Sequence, residues 1–182
     1  ISAIQGTELC AIVEQMYSYE EIFAHSGDNK WLERLEVLGF NALPATLSED
    51  MWTHQYVQQV NQIACEKTMI MAPWSTNGPY AHTFGLEPNF GCCTANFNQG
   101  WPKFALSAFM HDNNTIVNVL PVPSELNDNG VSISVETNYP FENTFTYKIK
   151  SDKSFKFKIR VPSFAENLIV NGNKTDKCSD LN

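Results

Sequence analysis

Residues 89–104 read NFGCCTANFNQGWPKF, and the adjacent Cys92 and Cys93 within it pose the question that the rest of the chain must answer. Neighbouring side chains diverge by roughly 100° on a helix and face opposite sides of a strand. Two such sulfurs therefore serve one centre only where the backbone bends. Pro88, Asn89 and Gly91 supply a bend just before the pair. A helix start is expected just after it, and a thiol in front of a helix N-terminus has its thiolate stabilised by the dipole and free N–H groups. Free cysteine is also a common small core hydrophobe, and a pair alone lacks the ligand count of a zinc site. Other segments must supply the remaining donors.

Downstream of the pair, residues 101–110 read as a helix. Pro102 suits its first turn but would kink a helix begun at Thr94. Beyond His111 the apolar period switches to two, in runs at 115–122, 131–137, 144–150, 154–161 and 168–170. Val131/Ile133/Val135, Phe145/Tyr147/Ile149 and Phe155/Phe157/Ile159/Val161 each supply one apolar face. Turn signals at Asn127-Asp128-Asn129-Gly130, Ser151-Asp152-Lys153 and Asn171-Gly172 separate them, predicting an antiparallel, sandwich-like β module.

Upstream, residues 72–90 are broken by Pro73, Gly78, Pro79, Gly85 and Pro88. They read as a long loop carrying Trp74, Tyr80, His82, Phe84 and Glu87, and long structured loops are commonly functional. Residues 51–71 alternate in part and are rich in amides: Gln55, Gln58, Gln59, Asn61 and Gln62. Extended chain lining a cleft and a solvated hairpin fit that pattern equally. Before it, Leu9, Ile12, Val13, Met16, Tyr19 or Glu20, and Phe23 predict an amphipathic helix, capped by Thr7 and stopped at Ser26-Gly27-Asp28. Asp28 is expected to cap a second helix, with Trp31, Leu32, Leu35 and Leu38 inward, ending near Gly39 and Pro44. The two make a helical hairpin. The fold class is α+β, helices first and strands after, divided near residue 111 into segments 1–111 and 112–182.

Composition bounds the function. Of 182 residues, 43% are apolar, enough for a substantial core. Twelve basic residues against twenty acidic give a net charge of −8, which disfavours nucleic acid as a partner. No apolar run approaches the length of about eighteen residues that a membrane span needs. A neutral polar ligand such as a sugar suits both observations. Five cysteines, odd in number and irregularly spaced, fit metal ligation or a reduced compartment better than a disulfide framework. The chain opens at Ile1 without methionine and is expected to be a piece of something longer. Glycosylation sequons occur at Asn113 and Asn173.

Glu8-Leu9-Cys10 is the second source of donors. Positions two apart on a regular helix diverge by about 200°, so Glu8 and Cys10 could share a metal only at a frayed helix entry. Glu8, Cys10, Cys92 and Cys93 would then form a four-coordinate site of three thiolates and one carboxylate, a set that zinc accepts. The competing readings are a first-turn carboxylate for Glu8 and a core position for Cys10. Of the histidines, His25 sits near a helix C-terminus and His111 beyond a helix end. His54 and His82 fall where they could contact a ligand, and nothing selects one as the base of a Cys–His pair.

Taken together, QGTELC at 5–10, EVLGFN at 36–41, DMWTHQYVQQVNQ at 50–62, the 85–104 block, NYPFENTFTYKIK and RVPSFAENLIVNG make a specific combination. The chain resembles glycoside hydrolase family 127, the β-L-arabinofuranosidase family, in one of its less-characterised branches. The resemblance implies helical hairpins from the C-terminal part of an (α/α)6-barrel-type catalytic domain, followed by a β-sandwich. It further implies a zinc ion held by Glu8, Cys10, Cys92 and Cys93, with Cys92 as the nucleophile of a retaining hydrolysis. Glu36 and Tyr56 match positions that contact the sugar, against the plainer readings of a helix-surface carboxylate and a strand aromatic. His54 and His82 join them as substrate-binding candidates only from their place in the amide-rich and loop segments. The family's general acid/base is a glutamate N-terminal to the Glu-x-Cys motif, ahead of the first residue here. Exposed barrel faces would favour self-association. Two other readings stand beside this one: a carbohydrate-binding or structural module in which zinc only staples segments together, and a metal-free cysteine hydrolase using His82 or His54 as base.

Overall fold

The computed structural model describes residues 5–67, 77–87 and 89–177. Residues 68–76, including Trp74 of the expected loop, and Pro88 lie outside the described residues. Helical apolar spacing produces α1 (Leu9–Ser26), whose buried positions are Leu9, Ile12, Val13, Met16 and Glu20. It ends at Gly27, where φ is 65° and the N–H reaches the Phe23 carbonyl at 2.8 Å. That left-handed stop costs glycine nothing. Asp28 Oδ1 then accepts the Lys30 N–H at 3.1 Å and opens α2 (Lys30–Val37). The helix runs on through a wide π turn (Leu38–Ala42) into a 3₁₀ turn begun by Pro44 (Pro44–Thr46).

Thr7 does not cap α1. Thr7–Glu8 form a short strand, β1, antiparallel to β2 (Val57–Gln58). The Leu9 N–H goes to the Tyr56 carbonyl at 2.9 Å, so a crossing strand satisfies a donor that a cap would otherwise take. Gly6 permits this approach, since a Cβ there would stand 1.7 Å from Val57 Cγ1. His54 bridges to Leu47 and to Gly85, which favours the extended-chain reading of this amide-rich segment.

The helix after the cysteine pair also differs from expectation. α3 spans Gly91–Leu106 without a break, Pro102 included. Its buried stripe, Cys93, Gly100 and Phe104, lies against α1 and the π turn. A Cβ on Gly100 would meet Leu43 Cδ2 at 2.7 Å, and Gly39 lies against the Phe104 ring. Pro102 is exposed, and so is Asn98, whose carbonyl it leaves without a helical donor. The local penalty therefore falls on the solvent side, while tertiary packing holds the helix together.

The strand-rich part begins at β3 (Phe109–Asp112), slightly before residue 111, and turns over Asn113 (φ 54°) into β4 (Thr115–Asn118). β4 stops short of residue 122 because the buried Asn118 amide donates to the Ala108 and Leu120 carbonyls at 2.9 and 3.2 Å. Residues 124–128, which lie in none of the expected strand runs and whose Asn127-Asp128 read as part of a turn, form β5 (Ser124–Asp128). Asn129 and Gly130, at φ 46° and 81°, turn it into β6 (Val131–Thr137), which pairs next with β7 (Phe145–Ser151). β8 (Lys156–Ile159) then crosses to lie parallel beside β4, so the module is not wholly antiparallel. A small hairpin, β9 (Ile169–Val170) and β10 (Asn173–Lys174), follows. The crossing brings Phe155 and Phe157 onto the cluster of Ile116, Val131, Ile133 and Val135, which the two three-stranded sheets share. A separate, larger core unites α1, α2 and α3 with Val119, Leu120 and Val122.

Glu20 is an uneven fit within that core. It is 3% exposed, and Ser107 Oγ donates to its Oε2 at 2.8 Å. Its Oε1 has no partner among the described residues, and burial raises its pKa. A raised folded-state value means the unfolded chain, at about 4.3, loses its proton first. Stability from this group is therefore full below pH ~4 and declines as pH rises through the folded value. We expect Glu20→Gln to gain stability over the parent above pH ~5 and to match it near pH ~3.5, read from urea midpoints across pH. A constant difference at all pH values would refute the assignment.

Candidate metal centre

The strand-to-helix change at Glu8 resolves the spacing problem of Glu-x-Cys. Glu8 is extended, at φ −76° and ψ 140°, while Cys10 is already in the first turn of α1. Their side chains therefore converge as they would not on a continuous helix. Across from them, the bend falls before the cysteine pair, at Asn89 (φ 64°), and Cys92 and Cys93 both lie in the first turn of α3. No bend between the two is needed, because the four donors meet at the entry ends of two packed helices.

One donor atom from each of Glu8, Cys10, Cys92 and Cys93 lies within 4.8 Å of all the others. The Cys10 and Cys93 sulfurs are 3.4 Å apart, and Cys92 Sγ lies 3.8 Å from Glu8 Oε1. A tetrahedron with Zn–S bonds of about 2.3 Å has edges of about 3.8 Å, so these separations suit a zinc ion. Burial pushes the Cys93 thiol well up and the Cys10 thiol up. Three thiols crowded in this way favour a dication that would hold them as thiolates. Cys93 is fully buried, Cys10 half-buried and Cys92 exposed. The centre thus has a closed side and an open one.

The neighbours of the centre come from the segment just before β2 and from the loop before α3. Tyr56 stacks on Phe90, with ring centroids 3.8 Å apart and planes 7° from parallel. Its hydroxyl has a raised pKa, chiefly through burial and then through Glu8, Cys92 and Cys93. His54 is buried, with Nε2 at 3.3 Å from Thr94 Oγ1 on α3. Burial lowers its pKa, and that of buried His82. The His82 carbonyl accepts the Gln55 amide at 2.7 Å, which steadies the residue between His54 and Tyr56. His25 Nδ1 lies 2.8 Å from the Glu21 carbonyl near the end of α1, and His111 is in β3 facing Asp128.

Glu36 is engaged elsewhere. It is 5% exposed, Arg160 Nη1 donates to its Oε1, and the Tyr139 hydroxyl donates to its Oε2 at 2.9 Å. Arg160 Nη1 also reaches the Val119 carbonyl at 3.2 Å. The carboxylate therefore joins α2 to the strand region.

Sequence reasoning missed one residue at the centre. Asn96 Nδ2 donates to Cys10 Sγ at 3.3 Å and to the Cys92 carbonyl at 2.9 Å. Its position one helical turn after the pair was the only available signal.

Comparison with known proteins gives matches along most of the chain. A sequence model of the β-L-arabinofuranosidase GH127 catalytic domain matches residues 2–106, and one of the GH127 middle domain matches residues 116–181. No curated protein gives a significant match. Among solved structures, a glycoside hydrolase aligns at TM-score 0.76 and 19% identity, over 96% of this chain and 29% of its own. A GH127 β-L-arabinofuranosidase from Geobacillus stearothermophilus T6 aligns at 0.66 and 17%, over 95% and 28%. A further GH127 β-arabinofuranosidase aligns at 0.67 and 22%, over 96% and 28%. The chain thus spans less than a third of the length of these structures and shares their fold over that span. It belongs to glycoside hydrolase family 127, the β-L-arabinofuranosidase family.

Proposed function

We propose that the chain forms part of a zinc-dependent retaining glycosidase acting on β-L-arabinofuranosides or a related plant cell-wall sugar, with Cys92 as nucleophile. The observation that carries this reading is the four-donor cluster with one exposed sulfur. Residues 1–111 are the C-terminal portion of an α/α-barrel domain, and residues 112–182 belong to a β-sandwich. Glu8, Cys10, Cys92 and Cys93 hold the zinc, which when bound supplies the charge that keeps the thiols deprotonated at neutral pH.

Cys92 Sγ, on the open side, attacks the anomeric carbon. A C–S bond forms as the glycosidic C–O bond breaks, and the departing oxygen takes a proton from a glutamate N-terminal to the Glu8-x-Cys10 motif. Water then displaces the sulfur as a thiolate, returning a proton to that glutamate, and two inversions retain configuration. Tyr56, stacked on Phe90, and His54, beside Thr94 of α3, contact the sugar. Glu36 and His82 act one step back. Glu36 ties α2 to the strands, and the His82 carbonyl holds Gln55 beside Tyr56.

The test is turnover of an aryl β-L-arabinofuranoside by the longer enzyme that contains this chain. Cys92→Ser is expected to lower kcat by about 10³-fold or more, and iodoacetamide is expected to label Cys92 in competition with substrate. Undiminished turnover by the serine variant would leave zinc as a staple between segments and sink the nucleophile assignment.

A further inference from the structure

Three sulfurs share the centre, yet their surroundings differ. Cys93 is sealed in the core between α1 and α3, and Cys92 is exposed. Cys10 receives the Asn96 amide, and no amide donor is seen at Cys92 Sγ among the described residues. The orientation of that amide follows from its other bonds. Its carbonyl oxygen accepts the Gln99 side-chain N–H at 2.7 Å, and its second N–H meets the Cys92 carbonyl at 2.9 Å. A flipped amide would set oxygen against that carbonyl, so the N–H must face the sulfur.

An N–H···S bond draws electron density from a metal-bound thiolate and fixes its direction, as second-shell donors do generally. We propose that Asn96, clamped by Gln99, is a positioning residue that holds Cys10 as a spectator ligand and leaves Cys92 as the reactive sulfur. The inference rests on the zinc reading above. It explains how one centre built from three chemically identical ligands presents a single nucleophile. Exposure selects Cys92 over Cys93, and the amide selects it over Cys10.

The experiment compares the 182-residue parent chain with Asn96→Leu and Gln99→Leu, loaded with Co²⁺ under reducing, anaerobic conditions. The readouts are the thiolate-to-cobalt charge-transfer band, zinc affinity by chelator competition, and the sites of limited iodoacetamide labelling by mass spectrometry. Asn96→Leu is expected to move the charge-transfer band to lower energy, to weaken zinc binding by about 10–100-fold, and to spread labelling from Cys92 to Cys10. Gln99→Leu keeps the amide but frees it, and smaller changes of the same sign are expected. If Asn96→Leu loses metal altogether, the Gln99→Leu band and labelling pattern decide. A parent that binds cobalt while both variants match it in band, affinity and labelling would overturn the proposal. A parent that binds no metal would overturn the zinc reading itself, and this proposal with it.

Discussion

Cys93→Ser is expected to abolish tight zinc binding by this chain and, with it, the gain in stability that zinc confers. The parent should hold about one zinc, the count for a single tetrahedral site. Cys93 is the innermost ligand, fully buried and 3.4 Å from the Cys10 sulfur. Serine offers a harder and far less acidic donor in the same space, so the site would lose a thiolate with little change of shape. Metal that binds only the folded chain stabilises it by about 4 kcal/mol at a thousandfold excess over Kd. The measurement is metal content after desalting, together with Tm with and without added zinc. We expect the parent to show a zinc-dependent rise in Tm and Cys93→Ser to show almost none. Cys10→Ser should behave similarly, because it removes a ligand contributed by the other helix. Zinc retained at parental stoichiometry in Cys93→Ser would mean that the metal sits elsewhere. No metal in the parent under reducing, zinc-replete conditions would leave Cys93 a core residue and Cys92 a surface thiol.

The second large effect is expected at Arg160. Its side chain is 3% exposed and that of its partner Glu36 is 7% exposed. Among the described residues, Arg160 Nε and Nη2 have no hydrogen-bond partner. A pair held this deeply contributes little net stability compared with apolar packing, but removing one member strands the other charge in the interior. Arg160→Met should therefore cost about 3–5 kcal/mol, read from urea unfolding. Adding Glu36→Gln should recover much of that loss, because a neutral amide oxygen still accepts the Tyr139 hydroxyl. A loss below about 1 kcal/mol in the single variant would show the pair to be solvated, and would leave Glu36 available to a ligand.

These two sites also show what the sequence reveals and what it withholds. The four candidate ligands can be picked out because their chemistry is concentrated in two short motifs, Glu8-Leu9-Cys10 and Cys92-Cys93. The clasp that aims Glu8 cannot, since β2 is only two residues long and carries no periodicity. The helical hairpin is legible because its apolar spacing and its Gly27 stop are local signals. The full extent of α3 is not. Pro102 is a local argument for a boundary, and contacts with Gly39 and Leu43, far away in sequence, outweigh it. Glu36 shows the same limit most clearly. Its partner Arg160 is 124 positions away, and nothing within its own helix distinguishes a carboxylate facing a sugar from one facing an arginine.

The parallel seating of β8 beside β4 also bears on how the chain assembles. The β3–β4 hairpin and the β5–β6–β7 meander each join segments adjacent in sequence, so closing them costs little chain entropy. β8 has no neighbour of that kind, because the whole meander separates it from β4. Closing so long a loop is unfavourable while the intervening chain is random, and becomes far less so once the meander has drawn its own ends together. Order of assembly thus runs against order of adjacency in this sheet. The strand that completes it is expected to dock after the neighbouring sheet has formed. Arg160 is the first residue after β8, so its ion pair with Glu36 is expected to close late in docking, together with that strand.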